Sequence, residues 1–188
     1  IPFSLAEWDV GIWYVPLAIA AFLTETTAVQ ITDGMDGLIT SVTMVYALFM
    51  IAILSAVTMT ANQNGELLLA DNLAGTLAFS AAVVGACVGF LRYNAYPARV
   101  QPGSTGSLAL GGAVSMIAIL SRSILLLPLM GFCFAASVGS VILQAFGRRG
   151  EGGKKPFRAA PIHRHYELAG HPAPQIVAMY TIVTAVIC

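Results

Sequence analysis

Charge is what this sequence has least of. Asp, Glu, Lys and Arg make up 10% of its 188 residues, where a soluble globular chain carries roughly 25%. Hydrophobic residues reach 57% and the mean hydropathy is +0.81. A water-soluble fold of this size could not hide so much apolar surface, which excludes an ordinary soluble domain, a disordered tail and a nucleic-acid binder. Cysteine is also scarce. Cys87, Cys133 and Cys188 all lie in apolar runs, so they read as small hydrophobes rather than as a disulfide or zinc framework. Basic and acidic residues number 9 each, so net charge points to no partner. No basic segment followed by a short apolar stretch and a cleavage site opens the chain, and no internal repeat is evident. The chain begins Ile1-Pro2-Phe3 and stops at Cys188 inside an apolar run; the simplest expectation is a piece of a longer membrane protein.

What the chain has is long apolar runs. A spanning helix needs about 20 mostly apolar residues. Five such stretches lie at roughly 12–31, 38–60, 73–91, 107–122 and 123–147, with a sixth starting near Gln175. The expected fold is an all-α, polytopic transmembrane protein with about six spans, forming a single integral-membrane region over 1–188. Only Arg122 and its neighbours separate the fourth stretch from the fifth. Alternating spans sort the loops into two sets. Segments 32–37, 92–106 and 148–174 hold Arg92, Arg99, Arg148, Arg149, Lys154, Lys155, Arg158 and Arg164, which is 8 of the 9 basic residues. The positive-inside rule places that set in the cytoplasm. The Arg/Lys-rich stretch around 148–158 also has a plain reading, as a topology signal that touches lipid phosphates.

Three loops of this set could carry chemistry. The first reads QITDGMDGL, with Asp33 and Asp36 three residues apart and each followed by glycine. Asp-Gly pairs make tight turns and Asp36 could cap the next helix; equally, acids beside the membrane are costly and tend to serve ions or substrates. In the second, RYNAYPARVQPGSTGSL, the Gly-Ser-Thr-Gly-Ser run opens a helix, where free N–H groups favour anions. Gly/Ser stretches are also ordinary linkers. The third, APIHRHYELAGHP, gathers His163, His165 and His171 beside Arg164 and Glu167. Imidazole and guanidinium groups donate to phosphate, and imidazole shuttles protons. Paired carboxylates, anion-friendly glycines and a His/Arg cluster on one membrane face suggest Mg²⁺-assisted phosphoryl transfer.

At these residues the sequence resembles the phospho-N-acetylmuramoyl-pentapeptide transferase family, a branch of the polyprenyl-phosphate sugar-1-phosphate transferases (glycosyltransferase family 4). The family patterns N-x-T-D-G-L-D-G-L, Y-N-A-Y-P-A-x-V-F-M-G-D-T-G-S-L-A-L-G-G and A-P-I-H-H-H-F-E-L-x-G correspond to QITDGMDGL, YNAYPARVQPGSTGSLALGG and APIHRHYELAG. The resemblance implies a ten-helix fold of which these spans are the last six, in a bacterial cytoplasmic membrane with the site facing the cytoplasm. It implies transfer of phospho-N-acetylmuramoyl-pentapeptide from its UDP carrier to undecaprenyl phosphate, with release of UMP and with Mg²⁺ as cofactor. The implied partners are those two substrates and the bilayer, and a homodimer is compatible with it. Carried over by position, Asp33 and His163 take catalytic places, and Asp36, Asn94, Gln144, Ala160 and His165 take substrate-binding ones.

Five departures from the family fall at polar or pocket positions. Ser104 stands at the metal-binding aspartate of the second motif, where a neutral hydroxyl is a weaker Mg²⁺ ligand than a carboxylate. Gln30 replaces an Asn, Gln101 a Phe that packs on uracil, Arg164 the middle His and Ser137 a Glu of the fifth span. The expected consequence is a chain inactive alone. The alternative reading is a non-catalytic, transferase-like membrane protein that binds nucleotide or lipid phosphate, or acts as a scaffold.

Overall fold

A computed structural model describes residues 11–147 and 159–188. The described residues form eight α-helices: α1 (Tyr14–Thr32), α2 (Leu38–Gln63), α3 (Leu67–Asn94), α4 (Gly103–Leu120), α5 (Leu127–Met130), α6 (Phe132–Gly147), α7 (Ile162–Leu168) and α8 (Ala173–Ile187). Helices α1 to α4 are each long and apolar enough to cross a membrane, α1 together with the short turn preceding it. At 1.5 Å rise per residue, the 26 residues of α2 extend about 39 Å, beyond the ~30 Å hydrocarbon thickness. This is a multi-pass membrane protein.

Its helices pack as a membrane bundle does, through small residues and satisfied hydroxyls. At Gly111 of α4 an added Cβ would sit 2.7 Å from the Thr26 Cα of α1, so glycine is what lets these two backbones approach. Thr26, Ser80 and Ser115 turn their hydroxyls onto carbonyls four residues back, at 2.7, 2.9 and 2.8 Å. That satisfies them without water, as hydrocarbon surroundings demand. Tyr46, Met50, Leu54, Cys87, Val114 and Ile117 fill one core. Val29, Leu38, Val42, Phe134, Ile176 and Tyr180 fill a second. Outward faces stay apolar: Ile12 is 84% exposed and Val186 80%, a liability in water and the expected surface in lipid.

The fifth apolar stretch differs from a simple span. The segments Ile124–Met130 and Phe132–Phe146 meet at 77°, as a broken span or a re-entrant loop. Pro128 sits in the first turn of α5, and Gly131 leaves no room for a side chain, since a Cβ there would lie 2.8 Å from the Leu127 carbonyl oxygen. Proline and glycine are the usual causes of sharp kinks. The turn before it holds Arg122 at φ 54°, while the amide N–H of Ser123 reaches back to the Ala118 carbonyl at 2.8 Å. A left-handed residue closing a helix this way is the common C-terminal device. The sixth stretch appears as α8, apolar but only 15 residues long. Four spans are therefore clear, and five if the bent pair is counted as one. The third loop contributes α7; its 148–158 portion lies outside the described residues.

Candidate functional site

The end of the bundle where α1 stops, α2 and α4 start and α3 ends forms a cleft of about 490 Å³. Local geometry explains its wall. The Asp33 N–H closes α1 onto the Val29 and Gln30 carbonyls at 3.1 and 3.3 Å. Gly37 then takes φ 77° to begin α2, a left-handed conformation that favours glycine. A Cβ on Gly34 would lie 2.5 Å from His163 Nε2, so α7 is seated directly against the first loop.

Asp33 and Asp36 of the first loop and Asn94 and Ser104 of the second all line this cleft. Asp36 accepts from the Ala98 backbone N–H at 3.0 Å and from Gln101 Nε2 at 3.4 Å, which ties the first loop to the second. Asn94 is 1% exposed. Its Nδ2 donates to the Val100 carbonyl at 3.0 Å and its Oδ1 accepts from the Thr40 hydroxyl at 2.9 Å. Both functional atoms of that amide are thus committed to shaping the loop. Burial holds the Asp33 carboxyl above its usual range, as expected when a charged form loses water.

The remaining sequence-predicted residues, His163, Gln144, Ala160 and His165, are not in the lining of the cleft. The His163 imidazole is buried in the wall behind Gly34 with Nδ1 unpartnered. Desolvation, helped by the neighbouring Arg164 cation, pushes its pKa down to about 4. Gln144 is buried on α6 with Oε1 unpartnered. Ala160 sits half-buried just before α7. His165 is half-buried, its ring 5.8 Å from that of Tyr166 in an edge-on arrangement.

Four of the five polar or pocket departures from the family (Gln30, Gln101, Ser104 and Arg164) line this one cleft. The fifth, Ser137, is buried on α6 with its hydroxyl bonded to the Cys133 carbonyl at 2.9 Å. Two features escape the sequence reading. Arg164 points into the cleft rather than merely standing in for a histidine. Glu25, midway along α1, is 5% exposed with Oε1 unpartnered, beside the kink at Gly131. Its signal was a lone acid inside an apolar run, which membrane energetics marks as costly.

A sequence profile described as glycosyl transferase family 4 matches residues 1–122. The chain belongs to that family. Among similar proteins, the phospho-N-acetylmuramoyl-pentapeptide-transferase of Clostridium kluyveri is 39% identical over 188 residues, covering 100% of this chain and 55% of that protein. The transferase of the same name from Clostridium perfringens strain SM101 is 42% identical over 188 residues, again 100% of this chain and 54% of the relative. That of Heliobacterium modesticaldum is 44% identical over 170 residues, or 90% and 48%. The chain spans about half the length of the curated relatives it matches.

For Mg²⁺, the donor set falls short. No group of three or more His, Cys, Asp or Glu side chains among the described residues could hold a metal ion. Of the two carboxylates lining the cleft, Asp36 is tied to Ala98 and Gln101. That leaves Asp33, the neutral Ser104 hydroxyl and a guanidinium. Mg²⁺ is a hard cation held through carboxylates, phosphates and water, so the described residues do not make a resident site for it.

Proposed function

We propose that this chain forms the nucleotide- and phosphate-facing half of a bacterial cytoplasmic-membrane phospho-sugar transferase. The reaction is transfer of phospho-N-acetylmuramoyl-pentapeptide from its UDP carrier to undecaprenyl phosphate, with release of UMP. The observation that carries the reading is the polar cleft, into which the first two motif segments of a glycosyl transferase family 4 chain bring Asp33, Asp36, Asn94 and Ser104 and the third brings Arg164. In this reading the cleft faces the cytoplasm and the lipid acceptor arrives from the bilayer.

The residues divide the work. The first turn of α4 presents the N–H groups of Gly103, Ser104 and Thr105, which lack intrahelical acceptors and favour anionic oxygens. Asp33, its proton held more tightly by burial, is placed to accept or hold a proton from the attacking phosphate. Asp36 and Asn94 fix the loop that walls the nucleotide. His163 supports the floor and stays neutral near pH 7.

The cleft's single uncommitted carboxylate favours a second reading, a relative that binds these substrates without turning them over. Replacing the matching segment of the C. perfringens relative with this chain and assaying UMP release separates the two. Release above a membrane blank supports the transferase; a folded, membrane-inserted chimera that binds UDP-N-acetylmuramoyl-pentapeptide but releases no UMP supports the binder. A chimera that folds and does neither contradicts both.

A further inference from the structure

We propose that the cleft holds a diphosphate or phosphate monoester through Arg164 and the opening turn of α4, without a divalent cation. This rests on the transferase reading for the identity of the ligand, while the chemistry of recognition stands on the cleft itself.

Three observations converge. The first is the mismatch with a metal: one free carboxylate and a neutral hydroxyl where a divalent ion would need more. The second is the cation present instead. Arg164 lines the cleft, and no carboxylate among the described residues pairs with it. A guanidinium is planar, permanently charged and matches phosphate oxygens bidentately. Asp33 lines the same cleft, yet only desolvation, not a neighbouring cation, accounts for the state of that carboxyl. The guanidinium is therefore available to an incoming anion.

The third observation is the opposite wall. Gly103 and Ser104 line the same cleft at the start of α4. Pro102 precedes them and no side chain caps this terminus. Gly106 is the first residue of the segment whose N–H finds a helical acceptor, the Pro102 carbonyl at 3.1 Å. The N–H groups before it are left for a ligand or water. Ser107 commits its hydroxyl to the Ser104 carbonyl at 3.2 Å, while the Ser104 side chain lines the cleft with a hydroxyl that can donate. Serine suits this arrangement better than aspartate, since a carboxylate at 104 would repel the anion that Arg164 attracts. Ser104 and Arg164 thus act together, as the two walls of a guanidinium-bridged anion site.

The test uses the purified chain in lipid nanodiscs, with EDTA or with Mg²⁺ present. Inorganic pyrophosphate is the soluble probe, and nanodiscs doped with a polyprenyl phosphate supply the lipid-headgroup arm. Isothermal titration should give pyrophosphate binding in EDTA, with a Kd within about threefold of that in Mg²⁺. Arg164→Gln should weaken it roughly tenfold or more, the scale of losing a charge-assisted bidentate contact. Arg164→Lys should retain part of the affinity, because the charge remains while the fork is lost. Ser104→Asp should abolish binding in EDTA and make what remains depend on Mg²⁺. Competition by the polyprenyl phosphate would assign the site to the lipid headgroup, and its absence to the soluble diphosphate.

Binding seen only with Mg²⁺ overturns the inference, as does an Arg164→Gln variant that melts like the wild type and binds equally well. No binding in either condition overturns it too. The transferase reading fails separately. If pyrophosphate binds in EDTA but UDP-N-acetylmuramoyl-pentapeptide does not displace it, the anion site stands and that reading falls. If the nucleotide sugar binds strictly with Mg²⁺, the reverse holds.

Discussion

Asn94 offers the sharpest perturbation of the cleft's architecture, because a nearly isosteric change reverses one of its hydrogen bonds. The Val100 carbonyl can only accept, so the amide nitrogen must face it and Oδ1 must face the Thr40 hydroxyl. Asn94→Asp keeps the contact with Thr40 but sets two acceptors about 3 Å apart at Val100. The lost bond is worth about 1 kcal/mol and an unsatisfied buried carbonyl about 1–3 kcal/mol. Burying the new carboxyl adds a further penalty. A destabilisation of about 2–4 kcal/mol is expected, with faster proteolysis in the loop from Ala95 to Gln101. Thr40→Val should cost less, about 1–2 kcal/mol, since it strands a single acceptor. The two should be non-additive in a double-mutant cycle, as residues sharing a bond are. Chemical unfolding in one detergent, with loop proteolysis alongside, measures both. An Asn94→Asp variant within about 0.5 kcal/mol of wild type, the usual range for an uncoupled surface change, would refute the idea that this amide holds the loop.

Two further outcomes follow from buried groups. The pKa of folded His163 lies near 4, against an ordinary value near 6.5, so the unfolded chain binds the extra proton between those values. Stability should be full above about pH 6.5 and fall as pH drops towards 4, by about 3 kcal/mol in all. His163→Asn should flatten that window in a pH series of melting curves; an unchanged slope would contradict the assignment. Glu25 carries a buried oxygen with no partner, so Glu25→Leu should stabilise the chain by about 1–3 kcal/mol, while Glu25→Gln should gain less. A Leu variant that melts earlier than wild type would show that the carboxyl has a stabilising role.

Much of this arrangement is legible in the residues. Apolar runs bounded by Asp33-Gly34 and by Asn94 to Pro102 locate the ends of α1, α3 and α4 to within a few positions, because turn formers and charge cannot continue into hydrocarbon. The three motif segments follow from alternating spans, which bring 32–37 and 92–106 to the same end of the bundle.

The kink at Gly131 was not legible. Glycine and proline are tolerated inside membrane helices when neighbours satisfy the backbone, so Pro128 and Gly131 look like ordinary members of an apolar run. Glu25 was diluted in the same way, as one acid among apolar neighbours. The aim of Arg164 depends on where the seven residues of α7 dock, and Gly34 against His163 sets that docking through tertiary contact alone. Nor could spacing show that Asp36 and Asn94 are tied into the loops, since their partners, Ala98 and Thr40, lie 62 and 54 residues away.

The central claim is that three segments distant in sequence form one site for the phosphate-bearing end of a nucleotide sugar. Hydrogen–deuterium exchange of the chain in nanodiscs, with and without UDP-N-acetylmuramoyl-pentapeptide, tests it most directly. Slowed exchange in 30–37, 95–107 and 160–168 together, with the helix interiors unchanged, is the expected result. Protection confined to one segment, or appearing only at the opposite end of the bundle around Arg122, would contradict it.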